Sequence, residues 1–222
     1  MERAWHASYP PGMPTQIDPD AFASVNDLME DAFARHGRRD FARCLGHTMR
    51  YDMLDRLSRA FAGWLRRRGV LPGARVAVML PNLSSFPVTV VGALRAGCTI
   101  VTINPLYTPR ELQHQLADSG AEAIVVLENF AGTLAQVIGQ TAVRHVVVAT
   151  SGDLLGFPRG ALVNHVVRRV KRLVPAYDLP GAVPLGRALV EGRHHPWTPV
   201  ARAPGDIAFL QYTGGTTGVS KG

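Results

Sequence analysis

The sequence predicts an α/β protein built on a parallel β-sheet with helices on both faces. Two observations carry this. Residues 75–80 (RVAVML), 98–103 (CTIVTI), 123–127 (AIVVL) and 145–149 (HVVVA) are short runs, apolar almost throughout. Strands buried on both faces lose the apolar–polar alternation of a half-exposed strand. Between these runs lie segments of helical apolar spacing, the alternation that builds a parallel sheet.

Taken in order, residues 1–20 are proline-rich (Pro10, Pro11, Pro14, Pro19) and read as an extended arm. Ser24 with Asp27 resembles a capping box, opening a helix through Val25, Leu28, Met29, Ala32 and Phe33 that Gly37 ends. Residues 41–51 form a hairpin around Gly46-His47. A second amphipathic helix aligns Leu54, Leu57, Phe61, Trp64 and Leu65 on one face. Residues 83–96 are helical, with Pro87 tolerated in the first turn. Thr108-Pro109-Arg110-Glu111 is a strong helix start, with Thr as cap, Pro first and Glu three residues on. Residues 130–140 are expected to be helical. From 151 to 205 seven prolines break the pattern, which reads as a connecting region rather than a further βα unit. Residues 206–212 (DIAFLQY) resume as a strand.

With 46% hydrophobic residues the chain can bury a core, which excludes disorder. No apolar run approaches the roughly 20 residues of a membrane span. Two cysteines, Cys44 and Cys98, make neither a disulfide framework nor a metal cluster. Cys98 reads as an inert core thiol, and adjacent His194-His195 as a surface loop, because no further ligand lies at fitting spacing. Glu111 and Asp118 read as capping and helix-surface residues, and Asn104-Pro105 as a strand-ending turn. The net charge of +7 does not indicate nucleic acid, because aromatic residues make up only 7% and no reading module is visible. Much of the excess sits in residues 154–177, which contain Arg159, Arg168, Arg169, Lys171 and Arg172 and no acid. Near 160–174 Leu162, Val163, Val166, Val167, Val170, Leu173 and Val174 fall on one helical arc and Asn164, His165 and the cations on the other. Such a basic amphipathic segment either docks its apolar face on the domain or lies on an anionic membrane surface.

The chemistry is concentrated at residues 212–222, Tyr-Thr-Gly-Gly-Thr-Thr-Gly-Val-Ser-Lys-Gly. Four glycines let backbone amides turn towards one centre. Thr213, Thr216 and Thr217 add hydroxyls, and Lys221 a compact positive charge. Lys221 is one of only two lysines in a chain that otherwise uses arginine. A strand leading into amides, hydroxyls and an ammonium is a cradle for a polyphosphate. It is not a Walker A loop, because no Gly-Lys-Ser/Thr follows four spacers.

This segment resembles the phosphate-loop signature of the adenylate-forming enzymes, Thr-Ser/Gly-Gly-Thr-Thr/Ser-Gly-x-Pro-Lys-Gly, departing at Ser220 where proline is usual. Residues 75–82, 94–107 and 108–120 are similar to the first large subdomain of that superfamily. The opening 5–20, the run 104–111 and the segment 172–175 are most similar to bacterial long-chain fatty acyl-CoA ligases. The resemblance implies activation of a long-chain fatty acid by ATP with Mg²⁺ to an acyl-adenylate, then transfer to coenzyme A. It implies that the amides of Gly214, Gly215 and Gly218 hold the β- and γ-phosphates. Thr216 and Thr217 would assist them, Thr213 would contact Mg²⁺, and Lys221 would neutralise charge. It further implies a truncated first subdomain over 1–200, carrying the arm and the basic insertion, with 201–222 opening a second that bears the loop. The sequence lacks the family's later motifs for adenine and ribose and its catalytic lysine. It is therefore expected to be an N-terminal fragment, inactive alone, of a cytoplasmic enzyme peripheral to the inner membrane and able to form a homodimer. Two rivals stay open: an acyl-adenylate ligase that does not use coenzyme A, and a non-catalytic binding module.

Overall fold

The computed structural model describes residues 3–195 and 198–213. A hairpin of β1 (Asp40–Cys44) and β2 (His47–Arg50) stands apart from the main sheet. That sheet contains β3 (Arg75–Met79), β4 (Thr99–Thr102), β5 (Ala123–Leu127), β6 (His145–Ala149), β7 (Val183–Pro184) and β8 (Phe209–Gln211). Its order is β7-β6-β5-β3-β4-β8, and every neighbouring pair is parallel. The chain passes from β3 to β4 on one side and returns to β5 on the other. The carboxyl ends of β3 and β5 thus flank the switch point where such sheets place ligands.

Alternate strand residues feed two cores. Val76, Val78, Ala123, Val125 and Leu127 face one, and Ala77, Met79, Ile124 and Val126 the other. The first is covered by α1 (Val25–His36), α2 (Tyr51–Arg67), α3 (Ser85–Arg95) and α7 (Leu185–Arg193), with Phe61 and Trp64 stacked at 6.0 Å. The second is covered by α4 (Pro109–Ser119) and α5 (Ala131–Ala135). The start signals act as expected. Ser24 Oγ accepts from the Asp27 amide, Thr108 and Glu111 complete a capping box, and Pro87 lies in the first turn of α3.

Glycines set how closely α2 meets its neighbours. A Cβ on Gly192 of α7 would lie 1.9 Å from the Ala60 carbonyl oxygen, and one on Gly63 of α2 would lie 2.4 Å from the Gly192 carbonyl oxygen. At the other flank, Arg95 of α3 is 2% exposed. Its guanidinium bonds Glu30 at 2.7 Å, Asp55 at 2.5 Å and Ser58 Oγ at 2.6 Å, and lies 4.7 Å from the centre of the Phe33 ring.

Three expectations are corrected. The stretch 151–205 does contain a βα unit, β7–α7. A two-residue strand with proline fits only at a sheet edge, where its missing donor costs nothing. Residues 130–140 are not one helix: α5 spans five residues between 3₁₀ turns at Glu128–Phe130 and Ile138–Gln140. Gly132, Gly139 and Val137 are weak helix formers in so short a run. The basic segment is likewise broken, with α6 at Arg159–His165 followed by a π-turn at Val166–Val170.

Candidate functional site

β8 brings Tyr212 and Thr213 to the carboxyl end of the sheet beside β4. Ile100, Val101 and Thr102 pair with Phe209, Leu210 and Gln211, and the Thr99 hydroxyl donates to the Ile207 carbonyl at 2.9 Å. The exit from β8 is fixed by side chains from two directions. Thr102 Oγ1 lies 2.5 Å from Gln211 Oε1, and the Tyr212 hydroxyl donates to Asp118 on α4. Tyr212 is buried, and burial together with the Asp118 carboxylate pushes its phenol up to about 12. The phenol therefore stays protonated and keeps donating at neutral pH. Gln115, fully buried on the same helix, donates to the Thr102 carbonyl at 2.8 Å. The end of β4, the end of β8 and α4 thus form one braced corner.

The neighbouring β4–α4 connection is equally determined. Asn104 Oδ1 accepts from the Leu106 amide and the Asn104 carbonyl from the Tyr107 amide, so Asn104-Pro105 is the expected turn. The Thr108 cap follows directly, and hydrogen bonds from Thr108 hold the Glu111 carboxyl below its ordinary range. Asp118 is exposed on α4, the helix-surface residue expected, and from there its carboxylate also anchors the Tyr212 hydroxyl. Its spacing from Gln115 along α4 is the signal that both face the sheet end.

Of the expected phosphate-loop residues, Thr213 lies within the described residues, exposed at the end of β8. Gly214, Gly215, Thr216, Thr217, Gly218 and Lys221 lie outside them. Among the described residues no group of three or more His, Cys, Asp or Glu could hold a metal ion. Cys98 is the inert thiol expected: burial pushes it up to about 12, while Cys44 is only half-buried. Iodoacetamide at about pH 8 should therefore modify Cys44 and spare Cys98 in the native protein, read by peptide mass mapping. Equal labelling would show that the turn between α3 and β4 opens.

The comparisons agree with this architecture. The chain is 48% identical, over its whole length, to the long-chain-fatty-acid–CoA ligase of Escherichia coli O157:H7, and spans 40% of that relative. Among solved structures, it matches the anthranilate CoA ligase AuaEII in complex with anthranoyl-AMP with a TM-score of 0.73 at 17% identity. That match covers 92% of this chain and 35% of that one. A long-chain-fatty-acid–CoA ligase from Archaeoglobus fulgidus gives a TM-score of 0.67 at 24% identity, covering 94% of this chain and 37% of that one. At such identities the two structures show the fold alone. The profile of the AMP-binding enzymes matches residues 29–222, nearly the whole chain: the chain belongs to the AMP-binding enzyme family.

Proposed function

We propose that the protein carrying this chain is an AMP-forming long-chain fatty acid–CoA ligase. The observation that carries the reading is the 48% identity to such a ligase across all of this chain, loop included. In this reading a fatty acid carboxylate attacks the α-phosphate of ATP, giving acyl-adenylate and pyrophosphate, and the thiol of coenzyme A then displaces AMP. Activation is needed because a carboxylate oxygen leaves poorly and AMP leaves readily.

The chain's own part is electrostatic. The amides of Gly214, Gly215 and Gly218 and the hydroxyls of Thr216 and Thr217 would hold the β- and γ-phosphates. Lys221 would offset the charge that grows as pyrophosphate departs. A bound Mg²⁺, with Thr213 as its protein contact, would add Lewis-acid neutralisation of the same phosphates. Residues 1–200 would form the body, and 201–222 would open the unit bearing the loop. The bracing of Gln211 and Tyr212 supports a rigid entry to the loop, which preorganised donors require. The reading also places the enzyme in the cytoplasm at the periphery of the inner membrane, where long-chain acids partition.

In the longer protein, Lys221→Ala and Thr216→Ala should each slow adenylation by about 10²-fold, the usual loss for one donor to a developing anion. Pyrophosphate release measures this directly. Wild-type adenylation in both variants would sink the phosphate-cradle assignment. Adenylate that forms but is never passed to coenzyme A would favour the non-CoA rival.

A further inference from the structure

The basic segment after β6 is seated on the protein in an unexpected way. Gly160, Asn164 and Arg168, spaced by four, all face the body. Gly160 meets Gly152 so closely that a Cβ on it would lie 2.4 Å from the Gly152 carbonyl oxygen. Asn164 Oδ1 accepts from the Gly152 amide at 2.7 Å, and its Nδ2 donates to Thr150 Oγ1 at 3.0 Å. Arg168 pairs at 2.7 Å with Glu128, whose carboxylate is 1% exposed at the end of β5. Further along, Asn129 Nδ2 donates to the Leu173 carbonyl at 3.1 Å. The segment therefore docks by a polar rail, with Val163, Val166, Val167 and Val174 half-buried beside it.

That seating turns apolar side chains outward. Leu162 is 64% exposed, Val170 62%, Leu173 56%, and Phe157, just before the helix, 92%. Arg169, Lys171 and Arg172 are exposed within the same stretch. Arg168, grouped by periodicity with these cations, belongs instead to the rail. A core-facing helix would bury its leucines, and a solvated one would not carry them.

We propose that this outward face, Phe157, Leu162, Val170 and Leu173 flanked by Arg169, Lys171 and Arg172, is a lipid-contacting surface for anionic membranes. Charge complementarity selects the occupant: the face carries Arg169, Lys171 and Arg172, and residues 154–177 contain no acid, so phosphate headgroups meet the cations while the apolar side chains enter the acyl boundary. The Glu128–Arg168 pair holds the face outward before any contact is made, so little ordering remains to be done on binding. The proposal rests on the membrane-peripheral part of the reading above. Its test needs no turnover, so the two can fail separately.

The experiment is co-sedimentation of the protein with vesicles of phosphatidylcholine, with and without phosphatidylglycerol. Binding is expected only with phosphatidylglycerol and should weaken in high salt. Each cation at such a surface is worth about fivefold in partitioning, so replacing Arg169, Lys171 and Arg172 together by Gln should weaken binding about 100-fold. Leu162→Ser with Leu173→Ser should weaken it about tenfold at low salt, where charge is intact. Replacing Arg38, Arg39 and Arg67 by Gln removes the same charge elsewhere and should change it little. Equal sedimentation with both vesicle types overturns the proposal, as does equal loss in the two charge triples. Absence of binding to either vesicle overturns it too, and assigns the face to another part of the polypeptide or to a protein partner.

Discussion

Gly192→Ala is expected to destabilise the protein by about 3 kcal/mol, the upper part of the range for overpacking a filled interface. At this chain length that is roughly 6–12 °C in melting temperature. The added methyl group would lie 1.9 Å from the Ala60 carbonyl oxygen and 2.6 Å from the Trp64 nitrogen, and both are backbone atoms that no rotamer change can move. The only relief is to lift α7 from α2, which opens the core around Phe61 and Trp64. The same substitution at Gly186 in the same helix supplies the contrast, because nothing lies within 4 Å of a Cβ there. Gly186→Ala should stabilise by about 0.5 kcal/mol through reduced freedom of the unfolded chain. Equal melting temperatures for the two variants would show that α7 does not meet α2 backbone to backbone.

Arg95→Met is expected to cost about 3 kcal/mol, the lower end of the range for removing one partner of a buried ion pair. Methionine fills much of the space but removes the Arg95 guanidinium from Glu30, Asp55 and Ser58, leaving Arg59 as the cation paired with both carboxylates. Glu30 is 44% exposed and Asp55 29%, so water partly replaces the lost partner, which is why the lower end applies. Arg95→Lys keeps the charge but cannot span Glu30, the Asp55 carboxylate and carbonyl, and Ser58 with one ammonium, so it should fall between. Urea unfolding should show a lower midpoint at an unchanged slope. A midpoint equal to the wild type would mean that the cluster contributes nothing net.

These two sites also mark where sequence reading stops. The four central strands were legible because burial on both faces leaves a continuous apolar run. α4 was legible because its cap, first-position proline and capping glutamate are local chemistry. β7 was not, since two residues carry no period, and α7, which buries Leu185, Ala188, Leu189 and Gly192 at helical spacing, was hidden among the prolines and glycines around it. Arg95 did leave a signal, a lone charge at the end of the apolar run 88–94, but its partners come from α1 and α2. The run 213–221 was legible as a motif because its chemistry is local. The bracing of Gln211 and Tyr212 before it was not, because Tyr212 and Asp118 meet only once β8 takes its register on β4. The seating of 160–174 was left open between two faces for a similar reason. Periodicity separates apolar from polar side chains, and only the acceptors at Thr150 and Glu128 decide which side faces the body.

The pairing of β8 with β4 has a consequence for how the protein is made. Thr102 and its partner Gln211 are 109 residues apart. β3, the other neighbour of β4, precedes it in the chain, so the β4 edge, with Ile100 and Val101 at its centre, waits unpaired until residues 209–211 are synthesised. At ribosomal rates of about 5–20 residues per second the delay is roughly 5–20 s. An open apolar edge exposed for that time is a template for wrong pairing. The strand that leads into the glycine–threonine run thus joins the sheet long after its template, which the nascent protein must keep unoccupied.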